Sequence, residues 1–161
     1  MNCAATAQLA FEYDVSKHLL VQIVNTLASI VAENRDEKIQ VKMVNNGLTY
    51  MIQEALGKCQ AQLAHPKGNK EQRDTIGELL YQIFDLCTDF LICKDSCMSI
   101  LRNETIVRSV FEMALTYHKE WSASLNLSVV GMCRAMTDNE CATDQDRENF
   151  SEWGLPQVLL T

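Results

Sequence analysis

The amino-acid sequence predicts an all-α protein built from stacked helical repeats. The first observation is the composition: of 161 residues, 47% are hydrophobic and 22% are charged, a balance typical of globular domains with a buried core. The second is the scarcity of chain-breaking residues, because 2 prolines and 6 glycines favour long helices over a many-turned β fold. The third is an apolar helical pattern that recurs along the chain.

The first long helix is predicted from Ser16 to about Glu33, with Asp14 or Ser16 as its N-cap. One wide apolar stripe at helical spacing consists of Leu19, Leu20, Ile23, Val24, Leu27, Ile30 and Val31. After the charged segment ENRDE, a short helix is predicted over KIQVKMV, followed by the stop signal NNG. A further helix is predicted from about Leu48 to Leu63.

The same arrangement recurs 60 residues further along the chain. The seven apolar positions hold Leu79, Leu80, Ile83, Phe84, Cys87, Phe90 and Leu91. Ahead of them a loop is predicted over residues 64–74, and Thr75 with Glu78 has the pattern of a capping box. The segment KDSCMSILRNETIV parallels RDEKIQVKMVNNGLT, and a helix from about Ile106 to His118 follows it.

A third, partial copy is predicted from Ser124. Five of the seven stripe positions are filled, by Leu125, Val129, Met132, Ala135 and Met136. The acidic segment TDNECATDQDREN is predicted to be a solvated break, and WGLPQVLL parallels NNGLTYMI. Self-similarity of this kind indicates helical repeats that bury one another's apolar faces. We therefore expect a single domain with units at about 16–64, 75–120 and 122–161.

The segment LASIVAENRDEKIQVKMVNNGLTYMI resembles an armadillo repeat. In that family a long helix ends in a leucine–small–asparagine–aliphatic pattern, and a polar stretch, a short first helix and a glycine-led second helix follow. GLPQVLL, at Gly154 to Leu160, is similar to the opening of the second helix. The resemblance covers nearly all of the chain from Ser16 and implies a right-handed solenoid of about three units, with HEAT-type helical pairs as the structural alternative. Because the sequence stops within an expected helix, we expect a segment of a longer array or an unusual end cap.

In armadillo proteins the long helices line a concave surface that binds extended peptides or partner helices, and a peptide clamp pairs a tryptophan with an asparagine one turn later. The leucine-type anchors that align the three long helices are Leu27, Cys87 and Met132. The tryptophan position then holds Asn25, Asp85 and Val130. The asparagine position holds Ser29, Asp89 and Arg134. The clamp pattern is absent, so cargo binding of the nuclear-import kind is not expected.

Two groups of residues are nevertheless candidates for partner binding. Asp85 and Asp89 lie one turn apart and can engage a lysine or arginine of a partner, although a solvated helix face gives the same pattern. Tyr117, His118 and Trp121 form a cluster at a predicted helix end. Tryptophan there is either a binding hot spot or the packing residue of a helix corner.

No sequence pattern indicates an enzyme, a cofactor or a metal. Cys93 and Cys97 have a spacing that can share a metal, but no second Cys or His pair stands at a matching distance, so two half-buried thiols are expected. A phosphate loop, a serine elbow and a helix with paired histidines are missing from the sequence. DNECATDQDREN also lacks the central glycine of a calcium loop. We expect no catalytic residues and no cofactor.

The net charge, the N-terminal residues and the cysteines indicate the environment of the protein. The net charge of −7 argues against nucleic acid or an anionic membrane surface as the partner. The start MNCAATAQLAFEYDV lacks the basic region of a signal peptide, and no apolar run approaches membrane-spanning length. The 7 scattered cysteines fit free thiols in a reducing compartment. We expect a cytoplasmic protein, with the nucleus as the alternative, that is not secreted.

The function expected from these patterns is protein–protein interaction, as a scaffold or adaptor that docks a helix or an extended, basic segment of a partner. Two alternatives remain open. One is a regulator of a small GTPase, because some armadillo and formin-type domains bind switch surfaces. The other is a helical-bundle enzyme or ligand carrier, which needs a closed cavity with convergent polar groups. Homo-oligomerisation through exposed solenoid ends is a further expectation.

Overall fold

The computed structural model describes residues 17–34, 37–64, 70–94 and 96–160. This part of the chain is 85% helix and contains no strand, which confirms the all-α prediction. The α-helices are α1 (Lys17–Asn34), α2 (Glu37–Asn45), α3 (Leu48–Leu63), α4 (Lys70–Ile92), α5 (Cys97–Leu101), α6 (Glu104–Tyr117), α7 (Ala123–Thr137), α8 (Asp144–Glu152) and α9 (Leu155–Leu159). A 3-10 turn over His118–Glu120 continues α6. No helix in the described ranges is both long and apolar enough to cross a membrane.

The helices pack in two sets. Helix α4 packs along both α1 and α7, and these are the two most extensive helix–helix contacts in the described part of the chain. Helix α3 packs against α6, and α6 packs against α9. The order short, intermediate, long occurs twice, as a first group α2–α3–α4 of 9, 16 and 23 residues and a second group α5–α6–α7 of 5, 14 and 15 residues. The short helices therefore connect one set of packed helices to the other.

The apolar stripe of α4 forms the centre of the core, because all seven of its residues are at most 7% exposed. In α7, Leu125, Val129, Met132 and Met136 are buried and Ala135 is half-buried. In α1, Val24, Leu27 and Val31 are buried, whereas Ile30 is 36% exposed. The side chains of Leu19 and Leu20 lie outside the described residues. The predicted stripes are thus mainly core, as the helical spacing indicates.

Two glycines in the left-handed backbone conformation begin helices α3 and α9. Gly47 has φ 88° and Gly154 has φ 109°, and each precedes a buried leucine, Leu48 or Leu155, that opens the next helix. Positive φ is costly for residues with a Cβ atom, which explains the glycine in both NNGL and WGLP. In the second group Asn103 takes this place with φ −87°, and its side chain caps α6 by accepting a hydrogen bond from the Ile106 amide at 3.1 Å.

A buried polar pair links the two groups. The Ser96 hydroxyl, just before α5, donates to Gln40 Oε1 on α2 at 2.7 Å, and both residues are 2% exposed. Because a buried amide or hydroxyl without a partner costs about 1–3 kcal/mol, this bond favours one packing arrangement of α2 against the start of α5. The pair contributes specificity to a junction that is otherwise apolar.

The structure corrects the predicted start of the second long helix. Helix α4 begins at Lys70, so residues 70–74 are not part of a loop, and Thr75 and Glu78 lie inside the helix rather than in a capping box. Lysine, glutamate, glutamine and arginine are good helix formers, so the polar segment KEQRD continues the helix towards its start. The remainder of the predicted loop, residues 65–69, lies outside the described residues.

The predicted solvated break TDNECATDQDREN is also wrong, because Asp144–Glu152 forms α8. Thr143 Oγ1 accepts from the Asp146 amide at 3.2 Å, and Asp146 Oδ2 accepts from the Thr143 amide at 2.9 Å, which makes a capping box. Phe150 is fully buried and anchors the helix. The segment carries too few apolar residues for the periodicity to indicate a helix.

Candidate functional site

One face of α4 carries a stripe of acidic and apolar residues, most of which are exposed. We call the residues Asp74, Glu78, Tyr81, Asp85, Asp89 and Ile92 the α4 stripe. They recur every three or four positions and therefore lie along one side of the helix. Tyr81 is 36% exposed and Ile92 is 64% exposed, while Asp89 is half-buried and takes part in an interaction within the chain. The stripe thus presents carboxylates and large apolar side chains together.

The helices on either side of α4 add apolar surface. On α7, Leu127 is 70% exposed and Val130 is 49% exposed, and on α1 Ile30 is 36% exposed. Together with Tyr81 and Ile92, these are five of the eight large hydrophobic residues that are exposed in the described part of the chain. Exposed apolar side chains concentrated on neighbouring helices are typical of an interaction surface. Exposed apolar surface is therefore concentrated on the α1–α4–α7 set.

An open cleft of about 730 Å³ adjoins the beginning of the stripe, and we call it the α4–α7 cleft. Its walls come from the first half of α4, the end of α6 with the 3-10 turn, and the start of α7. Its aromatic walls are Tyr81, Tyr117 and Trp121. Its charged lining residues are Lys70, Arg73, Asp74, Glu78 and Glu120. Aromatic walls with carboxylates suit the long, cationic side chains of lysine and arginine.

The ion pair Arg73–Glu120 lies in this cleft, with 2.6 Å between Arg73 Nη1 and Glu120 Oε2. Its side chains are 47% and 57% exposed, so its contribution to stability is small. The pair neutralises Arg73, and the other charged residues that line the cleft are one cation, Lys70, and two carboxylates, Asp74 and Glu78. Further along the helix, Asp85 adds negative charge to the stripe. The electrostatic potential along the exposed side of α4 is therefore negative.

Trp121 has both a packing role and a free donor. Its ring lies 6.1 Å from the ring of the buried Phe84, centroid to centroid, at an interplanar angle of 50°. Its indole Nε1 is buried and has no hydrogen-bond partner among the described residues. An unpaired buried donor costs about 1–3 kcal/mol, so an acceptor that entered the cleft and reached Nε1 would bind favourably. The helix-corner and hot-spot interpretations of Trp121 are compatible.

The other predicted binding residues are distributed over the three long helices. Asn25 is half-buried on α1, with its Oδ1 buried and unpaired within the described residues, and Ser29 is exposed on the same helix. Val130 is exposed on α7. Arg134 Nε lies 3.3 Å from Oδ2 of Asp138, the residue that follows the end of α7, in an exposed i,i+4 pair.

The structure brings Tyr117 and Trp121 together in one cleft but does not place Asn25 or Ser29 among the residues that line it. Sequence reasoning missed Tyr81 and Glu78. Both could have been found by continuing from Asp85 towards the start of the helix, with a step of four residues to Tyr81 and then a step of three to Glu78.

Metal binding finds no support in the described part of the chain, where no group of three or more His, Cys, Asp or Glu residues could hold an ion. Comparison of the sequence and the structure with protein-family models, with curated proteins and with solved structures yielded no match. The armadillo resemblance therefore stays a prediction, and the candidate site depends on its own geometry and chemistry.

Proposed function

We propose that this protein is an armadillo-like helical solenoid that acts as a protein-interaction module, binding a basic, amphipathic segment of another protein along the α4 stripe. The observation that carries the proposal is the combination, on one side of α4, of exposed carboxylates with exposed Tyr81 and Ile92. The partner segment is a helix or an extended peptide whose lysine or arginine residues face Asp85 and Glu78.

The repeated order of the helices supports the solenoid part of the proposal. The first and second groups share the sequence short, intermediate, long, and the intermediate helix begins after Gly47 in one and Asn103 in the other. Helix α9, of 5 residues, likewise begins after a glycine, Gly154, and follows the 9-residue helix α8. Contacts between neighbouring copies, α4 with α7 and α3 with α6, follow the pattern expected when each repeat covers the next.

The chemistry of the surface supports the choice of partner. Carboxylates attract basic segments over several ångströms and increase the rate of association, although exposed charge pairs add little affinity. Affinity requires apolar burial, which Tyr81, Leu127 and Val130 provide, at about 25 cal/mol per Å² of surface removed from water. A partner that is basic on one side and apolar on another matches both requirements.

A designed peptide tests the proposal. The first peptide is a labelled amphipathic helix of about 18 residues with Leu on one face and Lys on the other, and a matched peptide has Glu in place of Lys. Each peptide is titrated with the full chain and followed by fluorescence anisotropy. We expect binding of the basic peptide only, and the double variant Glu78→Lys/Asp85→Lys should weaken it roughly tenfold or more. Salt should weaken it further, because the charges are exposed.

The matched control is Asp144→Lys/Glu148→Lys on α8, which changes the net charge by the same amount at exposed positions outside the stripe. If the control double variant weakens binding as much as the α4 variant does, the attraction is a property of the net charge and the proposal is wrong. Equal binding of the acidic and basic peptides would also contradict it.

A further inference from the structure

The α4–α7 cleft combines aromatic, acidic and aliphatic residues in one open cavity of about 730 Å³. Tyr81 comes from α4, Tyr117 from the end of α6, and Trp121 from the segment before α7. Three leucines also line the cleft: Leu63, Leu80 and Leu125. Clefts of this size accommodate a drug-sized ligand or a long side chain with its backbone. The cleft is therefore large enough to hold one residue of a bound partner segment.

The space in the cleft depends on a glycine between two parallel helices. A Cβ atom added at Gly77 on α4 would lie 4.0 Å from Leu125 Cδ2 on α7, and Asn139 Nδ2 donates to the Leu91 carbonyl oxygen at 2.6 Å. Both contacts join residues 48 positions apart, so α4 and α7 run in the same direction and their starts lie together at the cleft. Because Gly77 lines the cleft and has no side chain, a larger residue there would fill part of it.

The charged residues of the cleft already form one guanidinium–carboxylate pair. Arg73 Nη1 lies 2.6 Å from Glu120 Oε2. Asp74 and Glu78, one helical turn apart, make no ion pair within the described ranges, and neither does Lys70. The cleft thus pairs its own arginine with a carboxylate and leaves two further carboxylates available to a ligand.

This lining suits arginine better than lysine. A guanidinium is planar and weakly hydrated, stacks on aromatic faces, and can donate to two carboxylate oxygens at once. An ammonium is compact and strongly hydrated, so it loses more when water is removed from around it. Aromatic walls beside carboxylates therefore favour the guanidinium, and the leucines suit the methylene groups of its side chain.

The cleft also contains a donor without a partner. Trp121 Nε1 is buried and makes no hydrogen bond within the described residues, and the Trp121 ring packs 6.1 Å from the ring of Phe84. A guanidinium has no acceptor atom, whereas an arginine within a peptide brings backbone carbonyl oxygens with it. The unpaired donor thus favours an arginine residue of a polypeptide over a small guanidinium compound.

We propose that the α4–α7 cleft is an arginine-selective anchor pocket for the partner segment. The guanidinium stacks on Tyr81 and Tyr117 and donates to the carboxylates of Asp74 and Glu78. The methylene groups of the arginine pack against Leu125. This inference rests on the proposed function, because it assigns to the cleft one residue of the basic segment that binds along the α4 stripe.

The first test uses the full chain labelled with ¹⁵N and two small probes, N-acetyl-arginine amide and N-acetyl-lysine amide, at equal ionic strength. The indole N–H signals of the two tryptophans report on the cleft, through Trp121, and on a surface outside it, through Trp153. We expect the arginine probe to shift the Trp121 signal with a Kd roughly fivefold or more below that of the lysine probe. The Trp153 signal should stay unchanged. Equal Kd values for both probes, or a Trp121 signal that does not move at roughly 100 mM arginine probe, would overturn the proposal.

Gly77→Met tests the position of the pocket without changing any charge. The methionine side chain should fill the cleft and weaken binding of the arginine probe roughly tenfold or more. Two controls should leave the Kd within about twofold. They are Gly77→Ala, which adds only the Cβ atom, and Gly131→Met, which places the same side chain on α7 outside the cleft. A loss in Gly131→Met as large as that in Gly77→Met would contradict the assignment.

Tyr81→Leu provides a second variant if circular dichroism shows that Gly77→Met does not fold. Tyr81 is 36% exposed, so its replacement disturbs the core little while removing one aromatic wall of the cleft. The preference for the arginine probe over the lysine probe should fall below about twofold. A preference that persists in Tyr81→Leu would show that the aromatic wall does not select arginine, contrary to the proposal.

The amphipathic peptides separate this inference from the proposed function. A version of the Leu/Lys peptide with Arg in place of every Lys should bind the wild-type protein roughly fivefold or more tightly than the Lys version. Gly77→Met should make the two affinities equal. Equal affinities in the wild-type protein would contradict the arginine pocket and leave the proposed function intact. If neither basic peptide binds while the arginine probe still shifts the Trp121 signal, the proposed function is wrong and the arginine site is supported.

Discussion

Two ion pairs join distant parts of this chain, and their surroundings give them different roles. Arg73–Glu120 and Arg102–Asp146 have shortest N···O distances of 2.6 and 3.0 Å. Both side chains of the first pair are about half exposed, whereas the Asp146 side chain of the second is only 5% exposed. The shorter pair is therefore the weaker one, because water competes for both of its members.

Asp146 is bound from several directions. Its carboxylate accepts from Arg102 Nε and Nη2 at 3.0 and 3.2 Å, and from the Thr143 amide and hydroxyl at 2.9 and 2.8 Å. It thus caps α8 and connects that helix to the end of α5. Distance alone does not rank these interactions, but burial and the number of hydrogen bonds do.

The largest predicted effect is that of Asp146→Ala. The substitution removes the capping box and the contact with Arg102, and we expect the free energy of unfolding to fall by about 2–4 kcal/mol. Urea unfolding followed by circular dichroism measures it. Asp144→Ala is the control, because that side chain is fully exposed and its pair with Arg147 spans 3.4 Å, so a loss below about 0.5 kcal/mol is expected. Equal losses would show that burial does not decide between these carboxylates.

The second prediction concerns pH. The hydrogen bonds from Arg102, and then those from Thr143, lower the pKa of Asp146 from 3.8 to about 2 against the opposing effect of burial. Because the folded-state pKa lies below the unfolded one, this stabilisation is complete above about pH 4 and is lost as the pH falls towards 2. Above pH 4 the free energy of unfolding of the wild-type protein should exceed that of Asp146→Asn by about 1–2 kcal/mol, as measured by urea unfolding, and this difference should disappear as the pH falls towards 2. A gap that stays constant from pH 5 to pH 2 would contradict this assignment.

The third prediction compares two glycines whose backbone conformations differ, Gly154 and Gly57. Gly154→Ala should destabilise the protein by about 1–2 kcal/mol, since its φ is 109° although no atom lies closer than 3.9 Å to the added Cβ. Gly57→Ala, inside α3 with nothing within 4 Å, should stabilise it by about 0.5–1 kcal/mol. Thermal unfolding of both variants measures the difference, and shifts of the same sign would refute the backbone explanation.

The smallest effect on stability is expected for Arg73→Ala, below about 0.5 kcal/mol. Its effect on binding should be larger, because Glu120 then joins Asp74 and Glu78 as an unpaired carboxylate of the α4–α7 cleft. We expect affinity for the basic amphipathic peptide to rise about two- to threefold at low salt. An unchanged affinity together with a large loss of stability would show that Arg73–Glu120 stabilises the fold rather than masking a carboxylate of the cleft, which contradicts this prediction.

Regular apolar periodicity made several elements predictable. Helix α3 has the predicted bounds Leu48–Leu63, and α1 and α6 lie within two residues of theirs. The seven predicted apolar core positions of α4 are buried as expected. These segments repeat an apolar residue every three or four positions, so local sequence and tertiary packing favour the same structure. The start of α4 and the whole of α8 were missed because polar helices lack that signal.

Contacts between distant segments could not be predicted. Trp121 meets Phe84 only because the start of α7 packs along α4. No local pattern encodes such pairs, and the same limit applies to the cleft formed by Tyr81 and Tyr117. Asp85 could be identified as a groove candidate because its position follows from helix periodicity alone.

The hydrogen bond between Gln40 and Ser96 limits how this chain could be rearranged. A helical segment can be exchanged for another only where its buried hydrogen bonds are preserved. Here a segment placed beside α2 must supply a hydrogen-bond donor at the position of the Ser96 hydroxyl, or Gln40 Oε1 is left buried without that partner at a cost of about 1–3 kcal/mol. The two groups of helices are therefore not freely exchangeable, and a redesigned chain would have to transfer α2 and the start of α5 together.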